Sequence, residues 1–436
     1  MGSQLELALT VEQRNALGLQ KGQKCGVRIG KRSRPMTVID CETTTEAKPA
    51  LLRIERPLAE AFGIPAGRTL NIAKNGDVIQ IGPLIGVFTR LARKDGRVFG
   101  GHERYYRALM ENARKRNSFG FVFAVRDIDW EHARIRGYYL AKEKDSWQRA
   151  WLPFPDIYYN RYFGGKKGPS SGEIMNRFAR HQVPAFNTVI GDKWLVYRQL
   201  GKLSDVADHL PDTGLLTSYD SLAHMVKKHK TVYVKPAGGS RGTGIYRVRH
   251  NHLQYLVSQS GSAKTSIYPS ISDAYWRVSS GTTRMIVQQG IPYPEGDRLF
   301  DVRALVQRDG IGHWRLSGVA ARVGAAGGIT ANLHTGGYAT ELPAVLRQKG
   351  FGAETAARIV EDIRRLALRV AGTLGSRSKL LGELGLDFIV DNKGKVWFIE
   401  ANPKPGRQSF YRLKDQEVRK LVALRPIDFA VFAAGF

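Results

Sequence analysis

The chain has 436 residues, 42% hydrophobic and 24% charged, with 67 Lys and Arg against 39 Asp and Glu and a formal net charge of +28. This is ordinary globular usage and excludes a wholly disordered or fibrous chain; no run of about 18 apolar residues exists, which argues against a membrane-spanning helix, and MGSQLELAL lacks the basic and apolar pattern of a secretory signal. Two cysteines, Cys25 and Cys41, are too few for a disulfide framework or a four-ligand metal site and read as reduced thiols of a cytosolic protein, while the positive field favours an anionic partner without naming it.

In chain order, residues 16–23 (ALGLQKGQ) and 61–68 (AFGIPAGR) echo each other, and each precedes alternating β-type residues. A short helix, a Gly turn and a hairpin explain each copy, so residues 1–82 read as a small β-rich domain, two similar halves in one barrel. Gly82-Pro83 punctuates a boundary. Residues 84–88 (LIGVF) then predict a buried strand, 102–117 a helix, 121–125 (FVFAV) a second strand, and 137–140 and 156–160 further strands. Strand, helix and strand at these intervals predict an α/β unit with a parallel sheet. Helices and strands alternate from residue 174 onward, and residues 354–375 give the clearest amphipathic helix, with Ile359, Ile363, Leu366 and Val370 on one face.

Four segments carry chemistry. Residues 231–245 (TVYVKPAGGSRGTGI) end a strand on Lys235 and continue as a Gly/Ser loop, in which glycines permit close backbone approach and leave amides for phosphate oxygens. The lysine precedes the glycines and no helix signal follows, so this is not a Walker loop, and a plain Gly-rich hairpin fits the same residues. Met285 to Ile291 (MIVQQGI) is an apolar strand ending in amides, which suit an adenine edge; an ordinary core strand fits equally. In Phe300 to Gln307 (FDVRALVQ), alternation places Asp301 and Arg303 on one face, either to hold ribose and phosphate or to make a cross-strand salt bridge. Finally, Asp387 to Val390 and Val396 to Pro403 predict a hairpin in which Asp387, Glu400 and Asn402 converge; two carboxylates and an amide oxygen are hard ligands suited to Mg²⁺, while turn and capping carboxylates fit the same pattern.

Taken in order, these segments resemble an ATP-grasp ligase. Their wording resembles the YheC/YheD-type endospore coat-associated ATP-grasp family: PDIYYNR at 155–161, DKWLVYRQL at 192–200, VYVKPAGGSRGTGIYRV at 232–248, VQQGI at 287–291, FDVRALVQ at 300–307 and FIEANPKPGR at 398–407. The resemblance implies an α/β fold, α+β within the ATP-grasp part. It implies the small β-rich domain at 1–82, a pre-ATP-grasp α/β domain at 83–185, and a two-lobed ATP-grasp domain at 186–430, of which 186–290 clamps the nucleotide and 291–430 carries the metal and catalytic groups.

Carried over residue by residue, the resemblance implies that Lys193 and Lys235 contact ATP phosphates and that Gly238, Gly239, Ser240, Arg241 and Gly242 form the loop over them. Gln288, Gln289, Gly290 and Ile291 would border the adenine and Asp301 the ribose. Arg303, Arg322 and Asn332 would be the catalytic groups, with Arg322 and Asn332 at the γ-phosphate and acyl-phosphate. Asp387, Glu400 and Asn402 would hold Mg²⁺, with Mn²⁺ as a substitute. Arg407 is a candidate clamp for a substrate carboxylate, because guanidinium binds carboxylates in a bidentate fork, although a surface arginine carries the same signature. Ligases that glutamylate peptides often carry arginines where this chain has Thr330 and Thr335, so the acceptor stays open.

The implied reaction is ATP-dependent formation of an amide from a carboxylate and an amine through an acyl-phosphate, adding amino acids to an acidic peptide or spore-coat protein. The competing readings are a nucleotide-binding coat protein with little ligase activity, and a basic nucleic-acid-binding protein. No stacking-platform motif accompanies the interleaved Arg104-Tyr105-Tyr106-Arg107, which argues against nucleic acid. The expected location is cytoplasmic with spore-coat association, and the oligomeric state is not specified.

Overall fold

Stretches with apolar side chains at every second position assemble four sheets, and helices with apolar stripes pack against them. The computed structural model describes residues 5–41, 49–91, 96–141, 146–164, 168–187, 189–239, 244–262, 264–279, 284–292, 298–331 and 336–436. The chain divides into two compact units: Met1–Thr188 with Arg308–His313 and Ala423–Phe436, and Val189–Gln307 with Trp314–Val422.

The first unit begins with a six-stranded sheet of β1 (Glu6–Leu9), β2 (Lys24–Ile29), β3 (Arg32–Asp40), β4 (Leu51–Ile54), β5 (Arg68–Asn75) and β6 (Val78–Gly82), in the order β1-β3-β2-β6-β5-β4. Strand, helix and hairpin occur twice: β1, α1 (Val11–Ala16), β2 and β3, then β4, α2 (Arg56–Phe62), β5 and β6. The two echoing segments fall at the C-terminal ends of α1 and α2. The pairings of the two copies differ, since β1 runs parallel to β3 whereas β4 runs antiparallel to β5. The pairings among the described residues form an open path and not the barrel expected from the sequence. Thr10 and Gln13 cap α1 reciprocally, each backbone N–H donating to the other's side chain. Cys25 and Cys41 are both free.

Only Pro83 separates β6 from the second sheet, built of β7 (Leu84–Phe88), β8 (Phe119–Phe123), β9 (Ile128–Asp129), β10 (Arg134–Leu140), β11 (Trp147–Pro153), β12 (Ile157–Asn160) and β13 (Ala185–Phe186). The strands β8, β7, β12 and β13 are parallel neighbours. α3 (Glu103–Lys115) crosses from β7 to β8, and α4 (Ser171–Arg180) from β12 to β13. α3 buries Tyr105, Tyr106, Leu109, Met110 and Ala113.

In the second unit, α5 (Lys193–Leu200) and α6 (Ser204–Ala207) precede an antiparallel sheet of β14 (Thr213–Leu215), β15 (Thr231–Pro236), β16 (Tyr246–His250), β17 (Tyr255–Gln259), β18 (Thr265–Tyr268) and β19 (Met285–Gln289), ordered β14-β19-β15-β16-β17-β18. α7 (Tyr219–His229) and α8 (Ile271–Ser279) bury Leu222, Val226, Ala274 and Val278 against Val232, Val234, Val248 and Val287 of that sheet. A second sheet follows: β20 (Phe300–Arg308), β21 (Trp314–Val323), β22 (Tyr338–Thr340), β23 (Glu383–Val390) and β24 (Val396–Asn402), ordered β22-β21-β20-β23-β24. α9 (Leu342–Gln348) and α10 (Ala353–Gly375) pack with Val302, Ala304, Val306, Leu384, Leu386 and Phe388 of that sheet. Alternation leaves its opposite face to Asp301, Arg303, Gln307, Glu383 and Asp387. α11 (Gln408–Tyr411) and α12 (Gln416–Ala433) end the chain.

Asp156, just before β12, is 4% exposed. Its carboxylate accepts from the Leu84 backbone N–H at 2.8 Å and from Gln80 Nε2 at 3.3 Å, tying β6 and β7 to β12. Asp156→Ala leaves the buried Leu84 N–H without its acceptor and should cost about 1–3 kcal/mol, whereas Asp156→Asn, which keeps a carbonyl oxygen, should lose less. Urea midpoints of the two variants measure this, and an Asp156→Ala midpoint equal to wild type would remove the carboxylate from the first unit's stability.

Candidate active site

Alternation along β20 and β23 puts acidic and basic side chains on one sheet face, and cross-strand pairing sets them against each other. Arg303 and Asp387 are Cα partners. Arg303 Nε donates to Asp387 Oδ1, and Nη2 donates to Oδ2 at 2.8 Å. From β21, Arg322 donates to both Asp301 oxygens at 2.6 Å, and its Nη2 lies 3.0 Å from Asp387 Oδ2. Burial pushes the Asp387 carboxyl up, but the two guanidiniums outweigh it and hold it at about 2. At Asp301, with a single guanidinium bonded to it, burial wins and the carboxyl lies above its ordinary value.

The next strand needs a bulge to join this ladder. Phe388 pairs with Phe398, yet Asp387 pairs with Glu400, so β24 carries one extra residue, Ile399. Val396 and Phe398 face the core, and in a regular strand Glu400 would follow them inward. The inserted residue lets Ile399 and Glu400 both line the cavity, while Ala401 packs on the core and Asn402 shares the side of Glu400. Asn402 Nδ2 donates to Glu400 Oε1 at 3.0 Å.

The opposing wall comes from β15 and β19. Lys235 is 5% exposed, and its ammonium donates to Gln288 Oε1 at 2.8 Å. Burial lowers its pKa to about 8; Glu400 and Asp387 oppose the fall and Lys193 adds to it. Gln288 Nε2 donates in turn to Thr213 Oγ1 at 2.9 Å. Gln289 is also engaged: its side-chain oxygen accepts from the Asp212 N–H at 3.1 Å, and its own N–H donates to the Asp212 carbonyl. Lys193 occupies the first turn of α5, an electrostatically disfavoured place for a cation. Its ammonium donates to the Gly239 carbonyl at 2.9 Å and lies 3.8 Å from Glu400 Oε2. Gly239 has φ +91°, a backbone state that favours glycine.

Lys193, Lys235, Gly238, Gly239, Gln288, Gln289, Ile291, Asp301, Arg322, Asp387 and Glu400 line one cavity of about 150 Å³. Arg303 stands behind Asp387, and Asn402 beside Glu400. Gly290 packs against β15 instead, its N–H on the Thr231 carbonyl at 2.9 Å, where a Cβ would come within 2.8 Å of that oxygen. Arg407 is 6% exposed and not part of the lining; its guanidinium donates to Glu383 Oε2 and to the Pro405 carbonyl. Ser240, Arg241, Gly242, Asn332 and Thr335 lie outside the described residues. Sequence reasoning missed Tyr233, Ile389 and Ile399, all in the lining, which also holds Thr330. Tyr233 was within reach, two residues before Lys235 on the same strand face, and Ile399 alternates with the core residue Phe398, whereas the bulge that lets Glu400 face the cavity beside it has no marker in the sequence. Among the described residues no three His, Cys, Asp or Glu side chains cluster as a metal site.

A family model described as YheC/D like ATP-grasp matches residues 182–432. The chain is 28% identical to the endospore coat-associated protein YheD of Bacillus subtilis (strain 168), over 85% of this chain and 83% of that one. It is 24% identical to YheC, the endospore coat-associated protein of the same organism, over 73% of this chain and 90% of that one. Among solved structures, the VanG D-Ala:D-Ser ligase of Enterococcus faecalis aligns over 79% of this chain and 99% of its own, with 15% identity and a TM-score of 0.47.

Between Glu383 and Asp387 on the ladder face stands Gly385, and a Cβ there would lie 2.5 Å from Pro405 Cβ and 3.3 Å from Arg303 Cδ and Nη1. Gly385→Ala must therefore displace the segment after Asn402 or the Arg303 guanidinium. The expected loss is about 1–3 kcal/mol, read from the denaturant midpoint. A midpoint equal to wild type would show that this contact is not tight.

Proposed function

Since the chain belongs to the YheC/D-like ATP-grasp family, we propose that it is an ATP-dependent carboxylate–amine ligase. The observation that carries this reading is that one cavity has lysines and a glycine turn on one wall and Asp301, Arg322, Asp387 and Glu400 on the other. Lys193 and Lys235 hold the phosphates, assisted by the loop at Gly238 to Gly242. Asp301 receives the ribose. The side chains of Gln288 and Gln289 are already bonded within the protein, so the backbone near Ile291 and the apolar walls receive the adenine. In this reading residues 1–82 and 83–185 are the accessory domains, 186–290 clamps the nucleotide, and 291–430 carries the chemistry.

The reaction begins with attack of a substrate carboxylate on the γ-phosphorus, and ADP leaves. An amine then attacks the acyl carbon of the acyl-phosphate, and phosphate leaves as the amide forms. Arg322 and Asn332 are assigned to the charge that develops on the transferred group, and Arg303, behind Asp387, to holding that carboxylate in place. Asp387, Glu400 and Asn402 offer hard oxygen donors from paired strand ends, a set that fits Mg²⁺ or Mn²⁺. Such an ion, when bound, supplies a positive charge to the phosphoryl oxygens. Arg407 is assigned to positioning the segment that follows Asn402, through its pair with Glu383.

The +28 charge favours an acidic peptide or protein as acceptor, with an amino acid as the amine. The coat association in the names of the two Bacillus subtilis relatives favours the spore coat as the setting, reached from the cytoplasm. Tyr105 and Tyr106 are buried in α3, so they offer no stacking platform for nucleic acid. No helix among the described residues is long and apolar enough to cross a membrane.

Glu400→Gln should cut Mg²⁺-dependent ADP release on the order of 100-fold with little change in Tm, since the side chain is partly exposed and the change nearly isosteric. Turnover equal to wild type in a coupled ADP assay would defeat the assignment. A second test uses pH. With Lys235 at about 8, its ammonium is present below that pH and lost above it. ADP affinity measured by calorimetry should therefore hold up to about pH 8 and then fall by up to about tenfold per pH unit. A flat profile from pH 7 to 10 would remove Lys235 from the phosphate site.

A further inference from the structure

Asp387 is the most enclosed of the three side chains assigned to the cation, at 5% exposure, and both of its oxygens are taken. Oδ1 accepts from Arg303; Oδ2 accepts from Arg303 Nη2 at 2.8 Å and lies 3.0 Å from Arg322 Nη2. Arg322 simultaneously spans Asp301 with two bonds of 2.6 Å. Two guanidiniums and two carboxylates thus close a neutral cluster. Lys193, Lys235 and Glu400 complete the charges of the cavity. Among the described residues four cations therefore meet three anions, so a divalent ion arriving alone would enter a site that is already net positive and would have to strip a guanidinium from Asp387. A polyphosphate reverses both effects: it brings negative charge, and its oxygens are alternative bidentate partners for an arginine.

The two arginines are not equally placed to move. Arg303 faces Asp387 directly across the strand pair, grips both of its oxygens, and is packed against Gly385. Arg322 touches Asp387 through one nitrogen and lines the cavity, where an anion can reach it. We infer that Arg322 stands in for the cation on Asp387 until a nucleotide arrives, so that metal loading requires nucleotide. This rests on the proposed nucleotide site and adds its order of assembly. Phosphate draws the Arg322 guanidinium away from Asp387 Oδ2, the freed oxygen joins Glu400 and Asn402 in accepting the cation, and metal and nucleotide tighten each other reciprocally.

The test is Mn²⁺ binding to the full-length protein, followed by electron paramagnetic resonance of the free ion and corrected for Mn²⁺–ADP formed without protein. Wild type should bind Mn²⁺ alone at least tenfold more weakly than with ADP. Arg322→Gln should bind Mn²⁺ alone at least tenfold more tightly than wild type. Should that variant fail to fold, Arg322→Lys, whose ammonium cannot span two carboxylates, carries the same expectation. Tight Mn²⁺ binding by wild type without ADP, unchanged in the variant, overturns the inference and leaves the ligase reading standing. Equal weak binding by wild type and variant without ADP also overturns it. Absence of bound Mn²⁺ in every setting, ADP included, overturns both.

Discussion

The contact on which the second unit depends is the crossed ion pairing of Asp387 with Arg303 and Arg322. Taking a carboxylate or guanidinium out of water costs several kcal/mol per ion unless partners compensate. Here each charge finds one: Asp387 meets two guanidiniums, and Arg322 divides itself between Asp301 and Asp387. Four charges can therefore line one face of a five-stranded sheet whose other face is an apolar core under α10. The arrangement fixes register as well as charge, because a one-residue slip of β23 against β20 would turn Asp387 into the core and Phe388 out to the cavity.

The opposing wall is built on a different principle. Among the described residues no carboxylate is bonded to Lys235; its ammonium is held by the neutral oxygen of Gln288, which is itself held by Thr213. A buried lysine so solvated stays available to an anion, and its lowered pKa is the physical sign of that incomplete compensation. One wall is thus neutralised from within and the other is left short of negative charge. A polyphosphate completes the second wall and competes for the first, which couples nucleotide affinity to the state of the acidic ladder.

Much of this follows from simple periodicity. Residues 84–88 form β7 as expected, the 354–375 helix appears as Ala353–Gly375, and Asp301 and Arg303 share a face because strands alternate. The features that escape the sequence are those decided by tertiary context. Without its bulge, β24 would send Glu400 inward with Phe398, and no residue type marks the insertion. Gln288 and Gln289 have the donors and acceptors that suit an adenine edge, but Thr213, Lys235 and Asp212 claim their side chains from segments far away in the chain. Arg407 looks like a free carboxylate clamp until Glu383, buried on the neighbouring ladder position, takes its guanidinium. The repeated strand–helix–hairpin order of the first sheet was suggested by eight-residue echoes, yet its open pairing depends on contacts between the copies that neither echo contains.

The ladder also explains the order of residues along β23. Positions 383, 385 and 387 face the same way and read Glu, Gly and Asp. Asp387 closes the ion cluster. Glu383, 1% exposed, accepts from Gln307 Nε2 at 3.1 Å and from Arg407, anchoring the chain that leaves Asn402. Gly385 lies between them because the space above it is filled twice, by the Arg303 guanidinium from β20 and by Pro405 from the returning segment. A larger side chain there would separate the two polar clusters. With glycine, the segment that follows Asn402 is fastened two rungs below Asp387, so the donors assigned to the cation are positioned by a polar pair outside the cavity lining.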